Sequence, residues 1–303
     1  MHQELQQVVN QLNDIILGKN QQIKLALVCL LAKGHLLIED LPGMGKTTLA
    51  HALAKVLGLD FQRIQFTSDL LPADIIGSAI YRRSDETFKF HQGPIFTQVI
   101  LADEVNRATP KSQSALLEAM EEYQVTSEGV SRKLPVPFFV IATQNPFHQI
   151  GTYPLPESQL DRFLIRISLG YPAPEVERLL FNGQETRFQI ENLKSVLNTE
   201  QLIGYQRQVD EVSASDTLLD YLQSLVGATR NSTEWSHGLS PRGGLALLKA
   251  AKAWAFLEGR DFVLPEDIQS VWASVAGHRL MSQSSTTADS PVEALIAATP
   301  IPR

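Results

Sequence analysis

Short apolar runs alternate with amphipathic stretches along the first half of the chain. Short runs that end in polar residues are typical of buried strands, whereas apolar residues that recur every three to four positions indicate helices. The pattern predicts strands at 35–39, 63–66, 98–102 and 138–143. It predicts helices at 46–57 and 111–123. Strands that alternate with helices indicate a parallel sheet covered by helices, in which ligands bind beyond the carboxyl ends of the strands.

The pattern changes near residue 171, where Tyr171-Pro-Ala-Pro places two prolines in a short linker. Only helical patterns follow, at 175–188, 199–210, 215–229, 241–258 and 265–278. Thr199 and Ser240 are predicted as helix N-caps, and the Ser/Thr-rich stretch 282–287 indicates a loose tail. We predict an α/β domain at 1–172, a helical domain at 173–280 and a flexible tail at 281–303.

Composition and charge narrow the class of protein. Hydrophobic residues make up 44% of the 303 residues and charged residues 19%, as in globular proteins. The net charge of −7 argues against a general polyanion binder. Cys29 is the single cysteine, and no Cys/His spacing matches a zinc site. Neither a secretory signal nor an apolar stretch of the ~18–20 residues needed for a membrane span is present, so we predict a cytoplasmic enzyme or binding protein.

A glycine-rich turn between the first predicted strand and helix predicts a phosphate site. The sequence Asp40-Leu-Pro-Gly-Met-Gly-Lys-Thr-Thr matches the P-loop pattern, except that Asp40 stands at the first glycine position. Backbone N–H groups of such a loop surround phosphate oxygens at a helix N-terminus. Lys46 is expected to reach the β- and γ-phosphates, and the Thr47 hydroxyl to hold Mg²⁺. The predicted nucleotide-binding residues are Pro42, Gly43, Met44, Gly45, Lys46, Thr47 and Thr48.

A carboxylate pair directly follows the strand predicted at 98–102. Asp103 is expected at the sheet edge beside the P-loop, as a second partner of Mg²⁺, and Glu104 is expected to orient or activate an attacking water. A solvated carboxylate pair and an ordinary glycine-rich turn are the simpler interpretations of the two motifs taken singly. Their occurrence together, in this order, favours a nucleotide-hydrolysing site.

Three further segments complete an ordered series of five motifs. Ile-Ala-Thr-Gln-Asn145 ends a strand in an amide, Leu-Asp-Arg162-Phe follows it, and Gly-Leu-Ser-Pro-Arg242-Gly opens a later helix. With these segments and the Asp103-Glu-Val-Asn-Arg-Ala stretch, the chain resembles the MoxR family of AAA+ ATPases from about residue 5 to 280. The resemblance implies a P-loop AAA+ parallel sheet with flanking helices, followed by an all-helical lid domain. Loops of this family often lack the first glycine, which accommodates Asp40.

The resemblance also implies roles for individual residues. Asn145 would hold the attacking water together with Glu104. Arg162 would reach the γ-phosphate bound by a neighbouring subunit, and Arg242 would contact the phosphates of its own subunit. Structural ion pairs are the alternatives for both arginines. The segment resembling the one that packs on adenine contains Ile15, Ile16 and Gly18.

An arginine supplied by a neighbour implies a homo-oligomeric ring, most simply a hexamer. The resemblance also implies inserted hairpins, for which 78–93 and 126–135 are the candidates. We expect one of them to line the pore or substrate face, with a purely structural role as the alternative. Arg107 either acts at the subunit boundary or pairs with Glu118 or Glu121.

The leading interpretation is an ATPase that uses ATP and Mg²⁺ as a MoxR-type chaperone, remodelling or maturing protein complexes with von Willebrand factor A-domain partners. A nucleic-acid motor related to minichromosome maintenance helicases is the alternative. The negative net charge and the absence of a separate DNA-binding module argue against it. The carboxylate pair, Asn145 and the helical lid disfavour a small-molecule kinase. A slow nucleotide-gated docking switch stays open, because the sequence hardly separates it from the chaperone.

Overall fold

The computed structural model describes residues 2–84, 86–146, 151–181, 190–280 and 290–301. The helices before the linker are α1 (Gln3–Ile15), α2 (Asn20–Leu31), α3 (Lys46–Val56), α4 (Pro72–Ile76), α5 (Pro110–Glu122) and α6 (Glu157–Leu160), with a 3₁₀ turn at Val105–Arg107. The strands are β1 (Leu36–Glu39), β2 (Phe61–Gln65), β3 (Gly77–Arg82), β4 (Thr87–Gln92), β5 (Val99–Asp103), β6 (Gln124–Ser127), β7 (Val130–Lys133), β8 (Phe139–Gln144) and β9 (Ile165–Ile167). The later helices are α7 (Pro174–Phe181), α8 (Thr199–Glu211), α9 (Asp216–Asn231), α10 (Pro241–Leu257), α11 (Pro265–Ala276) and α12 (Ser290–Ala298).

Five parallel strands form the central sheet in the order β2-β5-β8-β1-β9. The register pairs Glu39 with Gln144 and Gln65 with Asp103, so the polar ends of β1, β8, β2 and β5 meet at one edge. The four predicted strands are confirmed, with shifts of one or two residues at their ends. The sequence pattern missed β9, because it has only three residues and Arg166 interrupts its apolar side chains.

The sheet separates two apolar cores. Leu36 and Ile38 of β1 belong to the core that contains α1, α2, α3 and the later helices, whereas Leu37 belongs to the core on the other face. The second core also contains Leu116 of α5 and Phe163. A strand covered on both faces needs apolar residues at every position, which explains why β1 is a continuous apolar run.

Two antiparallel hairpins are inserted into this domain, one formed by β3 and β4 and the other by β6 and β7. They confirm the hairpins predicted at 78–93 and 126–135. Tyr81 and Phe88 are cross-strand partners in the first hairpin and are 49% and 73% exposed. The guanidinium carbon of Arg132, in the second hairpin, lies 3.7 Å from the ring centre of Phe90 in the first. The two hairpins are therefore in direct contact.

The later helices differ from the prediction at two points. The N-cap of α10 is Ser240, as predicted, but Thr199 is not a cap: Asn198 caps α8, where its side chain accepts a hydrogen bond from the Gln201 N–H at 2.9 Å. Helix α7 is described only to Phe181, and the rest of the helix predicted at 175–188 lies outside the described residues. The flexible tail predicted at 281–303 is wrong for 290–298, which form α12.

Helix α12 is anchored to the lid. The Trp272 indole N–H donates to the Val292 carbonyl oxygen at 2.6 Å, and the Val292 side chain is buried. The predicted loose stretch 282–287 lies outside the described residues. Cys29 is fully buried in α2. In the part of the chain that the structure describes, no helix combines the length and apolarity that a membrane crossing requires.

Candidate active site

The predicted P-loop connects the carboxyl end of β1 to the first turn of α3. Gly43 and Gly45 have φ angles of +85° and +86°, a left-handed conformation that glycine adopts without a Cβ clash. A Cβ added at either position would meet no atom within 4 Å, so the backbone angle rather than crowding requires glycine. Gly45 is the N-cap residue of α3, whose first turn contains Lys46, Thr47 and Thr48. The helix N-terminus therefore points into the loop and favours an anion there.

Lys46 lies at the centre of this loop. Its ammonium donates hydrogen bonds to the carbonyl oxygens of Asp40 at 2.6 Å and Leu41 at 3.1 Å. Partial burial lowers the pKa of Lys46, and the charges of Asp40, Asp103 and Glu104 oppose that shift. The structure thus brings the P-loop lysine close to both carboxylates of the predicted Asp103–Glu104 pair.

The buried Asp40 side chain explains why the loop departs from the glycine pattern. Its Oδ2 accepts hydrogen bonds from the backbone N–H groups of Leu169 at 2.6 Å and Gly170 at 2.7 Å, and from the Ser168 hydroxyl at 3.3 Å. Its Oδ1 accepts from the Leu41 N–H at 3.0 Å. The residue at the first glycine position therefore links the P-loop to the segment that follows β9.

Asp103 ends β5 and is held from two neighbouring strands. Its Oδ1 accepts a hydrogen bond from the Thr143 hydroxyl of β8 at 2.6 Å. Its Oδ2 accepts from the Arg63 guanidinium of β2, with Nη2 at 2.6 Å. The carboxylate is only 7% exposed. A buried carboxylate that accepts hydrogen bonds from both sides has one fixed orientation.

Glu104 takes up a strained backbone conformation next to Asp103. Its φ angle is +57°, which is uncommon for a residue other than glycine, and its N–H donates to the Thr143 hydroxyl oxygen at 2.9 Å. Its carboxylate accepts from Gln65 Nε2 at 2.9 Å and lies 3.3 Å from Arg107 Nε. Arg107 therefore pairs with Glu104, and the predicted pairing with Glu118 or Glu121 is wrong.

Asn145 follows β8 at the same sheet edge as Glu104, which follows the adjacent strand β5. The Asn145 carbonyl oxygen lies 3.5 Å from Asn106 Nδ2, at the outer limit of a hydrogen bond. Asn106 is buried, and its own carbonyl oxygen accepts from the Tyr153 N–H at 2.6 Å. These contacts connect the predicted amide sensor to the turn that carries Glu104.

Arg162 and Arg242 lie together at the amino edge of the sheet, opposite the P-loop. Arg162 Nη2 lies 3.0 Å from one oxygen of Glu121, and Arg242 Nη1 lies 3.2 Å from the other. Arg242 Nε also lies 3.7 Å from Asp161. The two arginines line one cavity together with His35, which directly precedes β1. We call Arg162, Arg242, Glu121 and Asp161 the arginine face.

This position corrects one expectation. The resemblance implies that Arg242 contacts the phosphates of its own subunit. In the structure, Arg242 of the first turn of α10 lies 3.2 Å from Glu121 of α5 and 3.7 Å from Asp161, the residue after α6, at the opposite edge of the sheet. The ion pairs that were the alternative interpretation are present for both Arg162 and Arg242.

A cavity of about 220 Å³ extends from the P-loop between two segments on either side. The segment predicted to pack on adenine forms one wall, and the linker with the start of α7 forms the other. The cavity is lined by Ile15, Ile16, Leu17, Lys19, Gly43, Met44, Gly45, Thr48, Gly170, Pro172 and Val176. Lys19 Nζ donates to the Tyr171 carbonyl oxygen at 2.8 Å and so joins the two walls. A Cβ on Gly18, whose φ is +72°, would lie 3.6 Å from the Val176 side chain.

Comparisons with known proteins agree with this arrangement. Residues 35–165 match the family described as ATPase family associated with various cellular activities (AAA), and residues 227–297 match the AAA lid domain. The chain is 42% identical over 295 residues to Chaperone MoxR1 of Mycobacterium tuberculosis, which covers 94% of this chain and 78% of the relative. The chain belongs to the MoxR family of AAA+ ATPases.

Two further proteins are similar to almost the whole of this chain. Uncharacterized protein YeaC of Bacillus subtilis is 48% identical over 281 residues, which covers 93% of this chain and 88% of YeaC. A crystal structure of a candidate ATPase from Cytophaga hutchinsonii has a TM-score of 0.89 at 36% identity and covers 99% of this chain and 95% of that one. The family and the AAA+ fold predicted from the motifs are confirmed.

The donor set beside the MoxR-family P-loop fits a magnesium ion. Thr47 offers a hydroxyl in the first turn of α3, and Asp103 offers a carboxylate at the same edge of the sheet. Mg²⁺ in nucleotide sites commonly uses one or two such hard oxygen ligands and completes its octahedron with phosphate oxygens and water. Among the described residues, no group of three or more His, Cys, Asp or Glu side chains could hold a metal ion.

Several residues of the site were missed at the level of sequence. Thr143, which contacts both Asp103 and Glu104, stands inside the quoted Ile-Ala-Thr-Gln-Asn145 segment, and its signal is a hydroxyl in an otherwise apolar strand. Arg63 and Gln65 alternate with the apolar residue of β2, a pattern that also describes any half-exposed strand. The pairing of Glu121 with Arg162 and Arg242 gives no sequence signal, because Glu121 is one of several glutamates on α5.

Proposed function

We propose that this chain binds ATP with Mg²⁺, hydrolyses it, and acts as a MoxR-type chaperone that remodels or matures protein complexes as a homo-oligomeric ring. The observation that carries the proposal is the division of the machinery between the two edges of one sheet. Lys46, Asp103 and Glu104 meet at the carboxyl edge, whereas Arg162 and Arg242 meet at the amino edge.

At the carboxyl edge, each side chain has a task in phosphoryl transfer. The P-loop amides and Lys46 hold the β- and γ-phosphates. Thr47 and Asp103 would hold a magnesium ion, which would neutralise charge on the phosphate oxygens. Glu104 orients the attacking water and accepts its proton, and Asn145 fixes the same water from the adjacent strand. Gln65 and Arg107 contact the Glu104 carboxylate and hold it in one orientation before the substrate binds.

At the amino edge, Arg162 and Arg242 have no phosphate of their own subunit to contact. We infer that both arginines face the nucleotide of a neighbouring subunit, where Arg162 stabilises charge in the transition state. A ring, most simply a hexamer, gives every site such a neighbour. This inference replaces the role in its own subunit that the resemblance implies for Arg242.

The clients follow from the family rather than from the site. The relative named Chaperone MoxR1 supports a chaperone, and the resemblance adds von Willebrand factor A-domain proteins as partners. We expect the exposed aromatic pair Tyr81 and Phe88 of the first hairpin to contact the client, because exposed aromatic side chains are enriched at protein interfaces. We place the protein in the cytoplasm.

A mixing experiment tests the shared site. Arg162→Ala subunits keep Glu104 but lack the arginine, and Glu104→Gln subunits keep the arginine but lack the carboxylate. Each variant alone should be nearly inactive, and an equal mixture should recover part of the ATP turnover, since mixed rings contain some complete sites. A mixture as inactive as its components, or a fully active monomer in sedimentation, would contradict the ring.

The client is tested by affinity capture. The Glu104→Gln variant should bind ATP without hydrolysing it and should therefore retain clients long enough for identification. A purified von Willebrand factor A-domain protein should be retained by this variant with ATP and released without nucleotide. Lys46→Ala serves as the control, because it should lose nucleotide binding and retain no client. Equal retention by both variants would show that capture does not depend on nucleotide.

A further inference from the structure

Asp40 makes contacts that nucleotide hydrolysis, as described above, does not use. The residue is 6% exposed, and its carboxylate accepts four hydrogen bonds. Three of them come from residues 168–170, which lie about 130 positions further along the chain. A glycine, which the P-loop pattern has at this position, would leave the buried Leu169 N–H and the partly buried Gly170 N–H without this acceptor. An unpaired buried donor is costly, so the contact fixes the segment strongly.

The segment held by Asp40 leads directly into one wall of the nucleotide cavity. It begins immediately after β9 and continues through the linker to α7. Gly170 lines the cavity, as do Pro172 and Val176 further along. Gly170 has a φ of +62°, a left-handed conformation that glycine adopts without steric cost. Displacing 168–170 would move this wall away from Ile15 and Ile16 on the opposite side.

The hydrogen bonds that hold Lys46 at the phosphate end of the loop do not use the Asp40 side chain. Lys46 donates to the backbone carbonyl oxygens of Asp40 and Leu41, which any residue at position 40 provides. Gly43 and Gly45 adopt their left-handed angles at the other end of the loop. Three of the four hydrogen bonds of the carboxylate therefore hold the wall of the cavity, whereas the backbone carbonyl oxygens hold Lys46.

We propose that Asp40 is a positioning residue that sets the affinity for the nucleoside part of the nucleotide, by holding 168–170 so that the two walls of the cavity close on the base and ribose. This proposal rests on the proposed function, because it assumes that the cavity binds ATP. The proposal explains why Asp40 stands at the first glycine position of the P-loop. Its carboxylate supplies a hydrogen-bond acceptor that links the phosphate-binding loop to the wall of the base-binding cavity.

The test compares two ligands, ATP and inorganic tripolyphosphate, which has the phosphates without the nucleoside. Binding of each to wild type, Asp40→Gly and Asp40→Asn is measured by displacement of a fluorescent ATP analogue. In Asp40→Gly the affinity for ATP should fall about tenfold or more, the scale of a lost charge-assisted hydrogen bond. The affinity for tripolyphosphate should change by less than about twofold. Asp40→Asn should lie between, because its amide oxygen still accepts.

Glu39→Gln is the matched control. Glu39 precedes Asp40 and carries the same charge, and its carboxylate pairs with Arg166 Nη1 at 2.9 Å rather than with 168–170. This variant should lose thermal stability and keep the wild-type ratio of ATP to tripolyphosphate affinity. A role of Asp40 in stability alone would likewise leave that ratio unchanged.

Three results would overturn the proposal: wild-type ATP affinity in Asp40→Gly, equal weakening of both ligands, or an altered ratio in Glu39→Gln. If Asp40→Gly does not fold, Asp40→Asn must still shift the ratio, and an unchanged ratio there overturns the proposal as well. A wild-type protein that bound neither ligand would instead overturn the proposed function itself.

Discussion

The two edges of the sheet hold their functional side chains in different ways. At the carboxyl edge, Asp103 and Glu104 are fixed by Thr143 of the adjacent strand, so one rigid element positions both. At the amino edge, Arg162 precedes β9 and Arg242 opens a lid helix, and Glu121 pairs with both. The first arrangement is preorganised within one domain, whereas the second depends on how two domains are packed.

The comparison indicates which part of the site can change its geometry during a cycle of nucleotide turnover. The strands of the sheet cannot shift without breaking backbone pairing, so the carboxyl edge keeps its geometry. The arginine face is partly exposed, and exposed ion pairs are weak. We therefore expect a moderate movement of the lid to break the ion pair between Arg242 and Glu121. Regulation is then expected at the amino edge and chemistry at the carboxyl edge.

The largest expected effect is at the amino edge. Arg162→Ala should lower ATP turnover by about 10³-fold or more, because a neighbour's arginine contributes roughly 10³–10⁵ in rate. Nucleotide affinity, measured with a fluorescent ATP analogue, should stay within a few-fold of wild type. Lys46→Ala should instead lose nucleotide binding itself. Equal loss of affinity in both variants would remove the distinction between the two edges.

Glu104→Gln should be the strongest purely chemical defect at the carboxyl edge. Turnover should fall by about 10²–10⁴-fold, the range of general base catalysis, while ATP binding is retained. The amide keeps the size of the side chain and its hydrogen bond to Gln65, so the strained backbone of residue 104 should not relax. Single-turnover hydrolysis checks the result, and normal hydrolysis would disprove the assigned role.

Thr143→Val should show how far preorganisation matters. Valine has nearly the shape of threonine but provides neither the donor for Asp103 nor the acceptor for the Glu104 N–H. We expect a loss of about 10–100-fold in turnover and of about 1–3 kcal/mol in the free energy of unfolding. The control is Thr229→Val in the lid, a buried threonine whose hydroxyl oxygen also accepts from a backbone N–H, that of Leu239 at 2.9 Å. The control should lose similar stability and keep its turnover; a similar loss of turnover in both would mean that the effect is general.

The pH dependence of stability tests the role of His35, which is buried at the amino edge of the sheet. His35 accepts from the Val140 N–H at Nδ1, and its Nε2 lies 3.1 Å from the Met120 carbonyl oxygen, so it is neutral when folded. Burial lowers the pKa of His35 to about 4 from 6.5. As the pH falls, the unfolded chain binds this proton before the folded chain does. The contribution of His35 to the free energy of unfolding is therefore complete above about pH 6.5 and is lost as the pH falls towards 4, by ~3 kcal/mol in total.

Burial also lowers the pKa of His278, which adds to the loss in the same direction. Urea unfolding at pH 7.5 and pH 4.5 measures the change, and His35→Gln should reduce the difference between the two conditions. A difference as large in this variant as in wild type would show that His35 is not the cause.

The smallest expected effect comes from Glu121. Glu121→Gln should change turnover by less than about tenfold and stability by less than about 1 kcal/mol, because the two pairs it makes are partly exposed. It should also weaken the salt dependence of turnover, since Arg162 and Arg242 no longer share a screened carboxylate. Glu122→Gln, one residue further on the same helix, is the matched control. A Glu121→Gln effect as large as that of Arg162→Ala would mean that the amino edge is as rigid as the carboxyl edge.

The sequence predicts features that local patterns determine. The apolar runs locate four strands, and the polar residues directly behind them locate Lys46, Asp103, Glu104 and Asn145. Thr143 and Gln65 could not be assigned in this way, because their roles require β5 to lie between β2 and β8, an order that no local pattern contains. The position of Arg242 depends on how the lid packs, and β9 was missed because a three-residue strand leaves almost no periodic signal.

The contact between Arg132 and Phe90 joins the two hairpins. Strand β6 starts two positions after α5 ends, with Tyr123 between them, and α5 carries Glu121. We expect a displacement of the exposed Tyr81 and Phe88 to pass through Phe90 and Arg132 to the second hairpin, and from there to the end of α5, where Glu121 pairs with both arginines. The hairpin proposed to contact a client and the carboxylate that pairs with both arginines thus lie at the two ends of one short series of contacts.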